Sequence, residues 1–292
     1  MKIVLFSRPQ IAEAAADVQR LMRLIGHYGF DYAINQEFAQ VVEQITGQSV
    51  DPAKIYTTTT GEQPDATLML CCGGDGTLLE GIHRLSDRSI PVAAINFGHL
   101  GFLSSATRDG VESLFEDIAN HRLNIQPRTM LEISGIEEAE GLMTALNEIA
   151  VQRAEATMVK VEAKVNSQLV AQYNGDGVIV STPTGSTAYS LSVGGPIVFP
   201  ETDIITVTPV APHSLTIRPL VLSNDQTISL SVKSRSGNFL VSIDGNSFSC
   251  PEETLIQIKK APFHINVMKP DGYDFFSTLR DKMMWGADNR EN

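Results

Sequence analysis

The chain has 292 residues, of which 42% are hydrophobic and 19% are charged, as in an ordinary globular protein. This length lies near the upper limit for one hydrophobic core, so we expect two domains. The formal net charge of −12 excludes binding of nucleic acid through a broad basic surface, because neutralising phosphates requires clustered Lys and Arg.

Several further classes of protein are excluded by the sequence. No window reaches the roughly 18 to 20 uninterrupted apolar residues that a membrane span needs, and the N-terminal MKIVLF runs into a polar segment rather than a signal-peptide pattern. The three cysteines, with Cys71 and Cys72 adjacent, fit neither a disulfide framework nor a metal site. The six His residues lack the i, i+4 spacing of a zinc helix. We expect a cytoplasmic protein with reduced thiols and no metal held by the protein.

The first part of the chain alternates strand-like and helix-like segments. Apolar runs predict strands at 2–6, 67–72 and 91–97, and amphipathic patterns predict helices at 11–28 and from about 77. Because the strands are continuous apolar runs, helices should cover both faces of a parallel sheet. Residues 1–124 are therefore predicted to form an α/β domain, with a surface loop at 47–66.

The most distinctive turn of this domain is Gly73-Gly74-Asp75-Gly76-Thr77, which follows the apolar run TLMLCC and precedes a helix predicted to start at the Thr. Such a glycine turn presents unpaired N–H groups and the positive end of the helix dipole to a phosphate. It lacks the Lys-Ser or Lys-Thr ending of a Walker A motif. The Asp75 carboxylate could accept a proton from an attacking hydroxyl. The alternative is that Asp75 only caps the helix.

A second glycine loop, at 96–102, follows the next predicted strand. A tight turn whose Phe97 and Phe102 pack in the core is the preferred interpretation.

From about 125, short strand candidates separated by Gly, Asn, Asp, Ser and Pro predict an all-β domain over 125–270, with one helical interruption near 185–193. The segment 271–292 has helical spacing at 273–286, and we predict that it returns to the first domain.

Asn147 and Glu148 interrupt an apolar strand candidate, ALNEIAV. Adjacent strand residues point to opposite faces, so one of the two would face the apolar side unless it finds partners. An amide beside a carboxylate suits the vicinal hydroxyls of a ribose. The alternative is an edge strand with one face exposed to solvent.

Residues 183–192, PTGSTAYSLS, place six hydroxyl side chains between a strand and a predicted helix start. Tyr189 could stack on an adenine, and the hydroxyls could bond base and ribose. Asp176, which precedes the strand, could accept a hydrogen bond from an amino or carboxamide group. The alternative is a helix capped by Ser or Thr.

Asp244-Gly245-Asn246 fits a type I′ hairpin turn or a bulge. For this segment a structural role is preferred to a role in binding.

With GGDGT at 73–77, Asn147-Glu148, and STPTGSTAYSLSVGGPIV at 181–198 in this order and spacing, the sequence resembles the bacterial NAD kinase family over nearly its whole length. GGDGT also fits diacylglycerol and sphingosine kinases and, more loosely, 6-phosphofructokinases, whereas TPTGSTAYSLS is far more specific. The resemblance implies an N-terminal Rossmann-like domain, a C-terminal β-sandwich domain, a site in the cleft between them and a returning C-terminal segment. It also implies a homodimer or homotetramer.

The resemblance further implies roles for individual residues. Asp75 is the general base, and the ATP phosphates with Mg²⁺ lie on the turn. The turn is formed by Gly73, Gly74, Gly76 and Thr77, and the dinucleotide-binding positions are Asp75, Gly76, Asn147, Glu148, Asp176, Thr187, Ala188, Tyr189, Ser190, Leu191 and Ser192. Thr157, Asn174 and Asn246 are further expected contacts, standing where some family members have His, Arg and Gln.

The sequence thus predicts a kinase that transfers the γ-phosphate of ATP to the 2′-hydroxyl of the adenosine ribose of NAD, giving NADP. One alternative is a lipid kinase that uses the same turn on a diacylglycerol-type hydroxyl. That enzyme needs an apolar acceptor groove, whereas this chain is acidic and carries a segment suited to a nucleoside. The other alternative is a non-catalytic NAD(P)-binding sensor, against which the presence of Asp75 weighs.

Overall fold

The computed structural model describes residues 1–57, 66–85, 87–98, 101–122, 124–136 and 142–286. The chain divides into two compact units, the first comprising 1–127 with 265–292 and the second comprising 128–264. Within the described ranges, no helix has the length and apolar character needed to cross a membrane.

The first unit is an α/β structure in which strands and helices alternate along the chain. Its strands are β1 (Lys2–Ser7), β2 (Asp31–Asn35), β3 (Ile55–Tyr56), β4 (Leu68–Cys72), β5 (Val92–Asn96) and β6 (Ala106–Thr107), and its helices are α1 (Ala15–His27), α2 (Gln36–Thr46), α3 (Asp75–Arg84) and α4 (Val111–Ala119). The strands pair in parallel in the order β5-β4-β1-β2-β3, with β6 beside β5. This confirms the predicted parallel sheet.

Burial explains why these strands are continuous apolar runs. All five residues of β4 are buried, as are all residues of β1 after Lys2, because helices pack on both faces of the sheet. Polar residues appear where the strands end, among them Ser7, Asn35 and Asn96. Parallel strands end at one edge of the sheet, so this edge is where an open α/β sheet places its ligands.

Two local predictions for this unit differ from the structure. The helix predicted to start at Thr77 begins two residues earlier, at Asp75, with Gly74 as its N-cap residue. The predicted surface loop 47–66 contains a 3₁₀ turn at Pro52–Lys54 and the strand β3, which pairs with β2. A two-residue strand is too short to show an apolar pattern. Residues 58–65 of that loop lie outside the described residues.

The second unit is built almost entirely from antiparallel strands. Its elements are β7 (Asn124–Ser134), β8 (Thr144–Ala145), β9 (Glu148–Arg153), β10 (Val159–Val165), β11 (Gln168–Gly175), β12 (Gly177–Ser181), the short helix α5 (Tyr189–Ser192), β13 (Ile204–Val210), β14 (Leu220–Ser223), β15 (Ile228–Lys233), β16 (Asn238–Ile243), β17 (Asn246–Pro251) and β18 (Leu255–Lys269). The ends of β7 and β18 extend beyond the limits of this unit. A 3₁₀ turn at Thr184–Thr187 precedes α5, which confirms the predicted helical interruption.

The strands of this unit form two layers. One sheet has the order β14-β13-β12-β9-β16-β17, and β11, β10, β15 and β18 pair in that order in the other. Val151 and Val178 of the first layer share one core with Val161 and Leu230 of the second. The alternation of inward apolar and outward polar residues is that of a β-sandwich, which confirms the predicted fold.

The end of the chain belongs to the first unit. Val267 of β18 pairs in parallel with Val92 of β5. The following helix α6 (Phe275–Met283) confirms the helical pattern predicted at 273–286, and the Asp274 carboxylate caps it by accepting hydrogen bonds from the N–H groups of Phe276 and Ser277, both at 3.0 Å.

Helix α3, which carries the glycine turn at its start, packs closely on the sheet at Gly81. A Cβ atom at this position would lie 2.6 Å from Sγ of Cys71 and 3.1 Å from Cδ1 of Phe6. The absence of a side chain therefore sets how near the helix lies to β4 and β1.

We predict that Gly81→Ala lowers the free energy of unfolding by about 1–3 kcal/mol, because the added methyl overpacks this contact. The matched control is Gly26→Ala in α1, where a Cβ would meet nothing within 4 Å. It should raise the free energy of unfolding by roughly 0.5–1 kcal/mol through helix propensity alone. Urea unfolding measures both, and equal effects of the two variants would contradict the packing described.

Candidate active site

The glycine turn lies at the carboxyl end of β4 and leaves the start of α3 open. Gly74 is the N-cap residue, and no side chain caps this helix. The first N–H groups of a helix have no partner within it, so they are available to an anion. Gly73 has φ of +149°, and a Cβ there would lie 2.8 Å from Cβ of Thr77. Only glycine fits at this point of the turn.

The Asp75 side chain turns away from the helix N-terminus toward the second glycine loop. Its carboxylate accepts hydrogen bonds from the N–H groups of Phe102 at 3.0 Å and Leu103 at 3.4 Å. Any side chain at Gly101 would overlap this carboxylate. The alternative in which Asp75 only caps α3 is therefore wrong. Asp75 as a whole is half-buried.

The second glycine loop supports the carboxylate. The Gly101 N–H donates to Oγ of Ser104 at 3.0 Å, which closes a tight turn. Phe97 is buried, as predicted, whereas Phe102 is only half-buried, which corrects the prediction that both rings pack in the core. His99 and Leu100 of this loop lie outside the described residues.

A pocket of about 460 Å³ opens beside the turn. Its lining includes Ser7, Arg8, Gly73, Gly74, Thr77, Asn96 and Arg108. Arg8 donates to the carbonyl oxygen of Gly76 at 3.0 Å and pairs with Glu80 at 2.5 Å, so its guanidinium lies over the start of α3. Backbone N–H groups and guanidinium groups together suit a polyphosphate rather than an apolar ligand.

In the second unit, Asn147 directly precedes β9 and Glu148 is its first residue. The prediction that both interrupt a strand is corrected, because the strand begins only at Glu148. The cause is Asp244, whose carboxylate accepts hydrogen bonds from the N–H groups of Leu146 at 2.7 Å, Asn147 at 2.8 Å and Glu148 at 3.1 Å. These N–H groups bind a side chain instead of a neighbouring strand.

The other predicted binding segment packs against Asn147. The Thr182 N–H donates to the Asn147 carbonyl at 2.9 Å, and a side chain at Gly185 would overlap the same carbonyl. Ser181 is the pairing partner of Glu148. The structure therefore brings Asn147-Glu148 together with the start of the Ser/Thr-rich segment.

Glu148 is only 8% exposed, and its Oε2 has no hydrogen-bond partner among the described residues. Burial raises the pKa of this carboxyl to about 7, the charge of Asp244 raises it too, and a hydrogen bond from the Tyr189 backbone opposes the rise. A carboxyl with a free oxygen and a pKa near neutrality can accept or donate a hydrogen bond to a ligand hydroxyl.

The residues at 187–192 divide into supporting and accessible groups. Ser190 is fully buried, and its hydroxyl pairs with that of Thr208 at 3.1 Å. Its side chain thus supports the segment from within, and the prediction that Ser190 is a dinucleotide-binding position stays a prediction. The Tyr189 hydroxyl accepts a hydrogen bond from Nε2 of Gln152 at 2.7 Å. The half-exposed residues are Thr187, Ala188, Tyr189 and Leu191, while Ser192 is exposed.

Arg153 links two more of the predicted contacts. Its Nε lies 2.9 Å from a carboxylate oxygen of Asp176, and its Nη1 donates to the carbonyl of Ala156 at 2.6 Å, next to Thr157. Sequence reasoning gave Arg153 no role, since a single Arg at the end of a strand is an ordinary surface residue.

The remaining two predicted contacts lie at strand ends. Asn174 is half-buried near the end of β11, and its Oδ1 is buried without a donor among the described residues. Asn246 is exposed at the start of β17 and donates its Nδ2 to the Ile243 carbonyl at 3.3 Å.

Asp244 has a role that the sequence did not show. Asp244 and Gly245 have φ of +46° and +88°, and Ile243 pairs with Asn246, so the predicted type I′ turn is confirmed. The same Asp244 side chain also fixes the backbone at 146–148. At least 96 residues separate these groups, and no local pattern indicates such a contact.

Comparison with known proteins identifies the family. A model of the ATP-NAD kinase N-terminal domain matches residues 3–123, and a model of the ATP-NAD kinase C-terminal domain matches residues 146–269. NAD kinase of Bacteroides fragilis is 38% identical over 292 residues, covering 99% of this chain and 100% of that protein. The chain belongs to the NAD kinase family.

Solved structures of NAD kinase family members share the fold. Yeast NADH kinase complexed with NADH superposes with a TM-score of 0.84 at 24% identity, over 100% of this chain and 90% of that chain. An NAD kinase from Archaeoglobus fulgidus in complex with ATP gives 0.75 at 24% identity, over 97% and 99%. This NAD kinase family member thus has the α/β and β-sandwich units of those proteins.

The raised pKa of Glu148 makes stability depend on pH. The protonated form is favoured in the folded protein, so the stabilisation is fully present below about 4.5, the unfolded pKa, and is lost as pH rises through about 7. Glu148→Gln should therefore match the wild type near pH 4.5 and exceed its free energy of unfolding at pH 8 by roughly 2–4 kcal/mol.

Urea unfolding without substrates at the two pH values measures this difference. Glu155→Gln, at an exposed position of the same unit, is the matched control and should show no such pH dependence. If Glu148→Gln changes the free energy of unfolding by the same amount at both pH values, the raised pKa of Glu148 is contradicted.

Proposed function

We propose that this chain is an ATP-dependent NAD kinase, which transfers the γ-phosphate of ATP to the 2′-hydroxyl of the adenosine ribose of NAD and forms NADP. The observation that carries the proposal is the Asp75 carboxylate, held by two backbone N–H groups beside a turn and pocket suited to phosphates. Membership of the NAD kinase family supports it.

The phosphates of ATP would bind the turn of Gly73, Gly74, Gly76 and Thr77. The open start of α3 and the guanidinium of Arg8 support this placement. The family member from Archaeoglobus fulgidus was solved in complex with ATP.

Mg²⁺ would be held mainly by the ATP phosphates. Within the described part of the chain, no group of three or more His, Cys, Asp or Glu residues is placed to bind a metal. This fits Mg²⁺, which proteins commonly bind through one or two carboxylates together with substrate phosphates. When bound, the ion neutralises negative charge on the phosphates.

NAD would bind through the residues gathered around Asn147 and Glu148. The Asn147 amide and the free Glu148 oxygen suit the two hydroxyls of a ribose. The half-exposed ring of Tyr189, fixed by Gln152, suits an adenine face. Asp176 would accept from an amino or carboxamide group, and Thr157, Asn174 and Asn246 are proposed as further contacts.

In the reaction, Asp75 accepts the proton of the 2′-hydroxyl as that oxygen attacks the γ-phosphorus. The new bond joins the ribose oxygen to phosphorus, the bond from the γ-phosphorus to the bridging oxygen breaks, and ADP leaves. The Phe102 and Leu103 N–H groups each bind one oxygen of the Asp75 carboxylate and so hold it in one orientation before the reaction begins. Positioning of this kind supplies much of the rate of phosphoryl transfer.

The predicted homodimer or homotetramer rests on family resemblance. We propose it on that ground, and light scattering of the purified protein measures it.

The proposed function is tested by incubating the pure protein with ATP, Mg²⁺ and either NAD or diacylglycerol. NADP, assayed with an NADP-specific dehydrogenase, should form from NAD, and no lipid phosphate should form from diacylglycerol. Absence of NADP would refute the proposal, and binding of NAD without turnover would support a sensor instead.

In the same assay, Asp75→Asn should lower kcat by about 10²–10⁴-fold, the usual contribution of a general base, while NAD binding stays largely intact. The matched control is Asp109→Asn, an exposed carboxylate of the same unit, which should leave kcat unchanged. Turnover near that of the wild type in Asp75→Asn would remove Asp75 from the role of base.

A further inference from the structure

We propose that Lys269 is a positioning residue that holds the Asp75 carboxylate in its reactive orientation through the peptide group between Phe102 and Leu103. The inference rests on the proposed function, since it assigns the support of the proposed general base. None of the sequence motifs includes Lys269, which lies at the last position of β18.

Lys269 is fully buried, which is unusual for a lysine. Its ammonium donates to the carbonyl oxygens of Phe102 at 3.1 Å and Ser104 at 2.7 Å, and it lies 4.4 Å from the ring centroid of Tyr273. Burying an ammonium is costly unless it is well bonded. An apolar side chain of similar length would fill the same space without this cost, so a lysine here adds polar contacts, among them those to the two carbonyls.

The geometry of one peptide group connects Lys269 to Asp75. The carbonyl of Phe102 and the N–H of Leu103 belong to the same planar peptide and point in opposite directions. Lys269 binds the carbonyl, and Asp75 accepts from the N–H on the other side. Rotation of this peptide would break both contacts at once, so the ammonium fixes the orientation of a donor to the carboxylate.

The positive charge of Lys269 also strengthens the hydrogen bond that the Leu103 N–H donates to Asp75. A cation bonded to the carbonyl polarises the peptide, and hydrogen bonds in such a chain strengthen one another. The Leu103 N–H therefore becomes a better donor to the carboxylate. The adjacent Phe102 N–H, which also donates to Asp75, lies in the same short loop.

The chain offers a matched control in the neighbouring residue Ser105. Its Oγ donates to the carbonyl of Met268 at 2.6 Å and accepts from the N–H of Ala94 at 3.2 Å. Ser105 thus joins the same two segments as Lys269 does, without touching the peptide that holds Asp75. Loss of Ser105 should weaken the packing of the loop but leave the carboxylate oriented.

The test compares Lys269→Met with Ser105→Ala in the full chain. Lys269→Met should lower kcat by about 10²-fold, since misplacement of a reacting group by about 1 Å costs this much. The KM values for NAD and ATP should change by less than about threefold, because the Lys269 side chain is fully buried. Ser105→Ala should keep kcat near that of the wild type. If Lys269→Met does not fold, Lys269→Leu, which also has no N–H donor for the Phe102 carbonyl, takes its place. An unchanged kcat in the folded variant would overturn the proposal.

A double-mutant cycle separates positioning of Asp75 from a general structural role. If Lys269 acts through Asp75, adding Lys269→Met to Asp75→Asn should lower kcat by less than about threefold further. A full additional loss of about 10²-fold would show that Lys269 acts independently of Asp75 and would overturn the proposal.

Amide hydrogen exchange distinguishes failure of this proposal from failure of the proposed function, since it needs no activity. In Lys269→Met without substrates, the N–H groups of Phe102 and Leu103 should exchange about tenfold faster than in the wild type, and in Ser105→Ala the increase should be smaller. Unchanged exchange at Leu103 in Lys269→Met would overturn the proposal even if the chain makes NADP.

Discussion

The hydrogen bonds from the Phe102 and Leu103 N–H groups to the Asp75 carboxylate are the interaction on which the proposed catalytic arrangement depends. They form only because position 101 is glycine, since any side chain there would occupy the place of the carboxylate. Close packing of α3 at Gly81 and the tight turn at Gly73 determine the position of Asp75 at the start of α3. The position of the Asp75 carboxylate therefore depends on three glycines, Gly73, Gly81 and Gly101.

In each unit, one carboxylate accepts hydrogen bonds from several backbone N–H groups. Asp75 accepts from two such groups in the first unit, and Asp244 accepts from three at 146–148 in the second. Charge-assisted bonds of this kind are stronger than those between neutral groups and hold short loops rigid. In the first unit the carboxylate itself is the proposed base, whereas in the second Asp244 fixes the residues proposed to bind ribose. Preorganised polar groups need little rearrangement during a reaction.

Local patterns in the sequence predicted the parallel sheet, an all-β second domain and a phosphate-type turn around Asp75, whereas the β-sandwich was implied by the family resemblance. Buried strands such as β4 are apolar runs, and a glycine turn between strand and helix is typical of a phosphate site, so both are readable without a structure. The partners of these groups were not predictable. Asp244 looked like an ordinary turn residue, and no sequence motif included Lys269, because their contacts join segments distant in sequence. The Ser190 hydroxyl is buried against Thr208, and the sequence could not show this, because hydroxyls that support a loop and hydroxyls that bind a ligand have the same composition.

The central claim is that Asp75 acts as a base on the 2′-hydroxyl and does not itself become phosphorylated. The most direct test is whether the configuration at the transferred phosphorus is inverted or retained. The substrates are NAD and an ATP analogue whose γ-phosphate carries sulfur and oxygen isotopes and is therefore chiral. A single in-line attack by the ribose oxygen predicts inversion of configuration in the NADP analogue formed. Retention would indicate two displacements through an aspartyl-phosphate intermediate and would contradict the account.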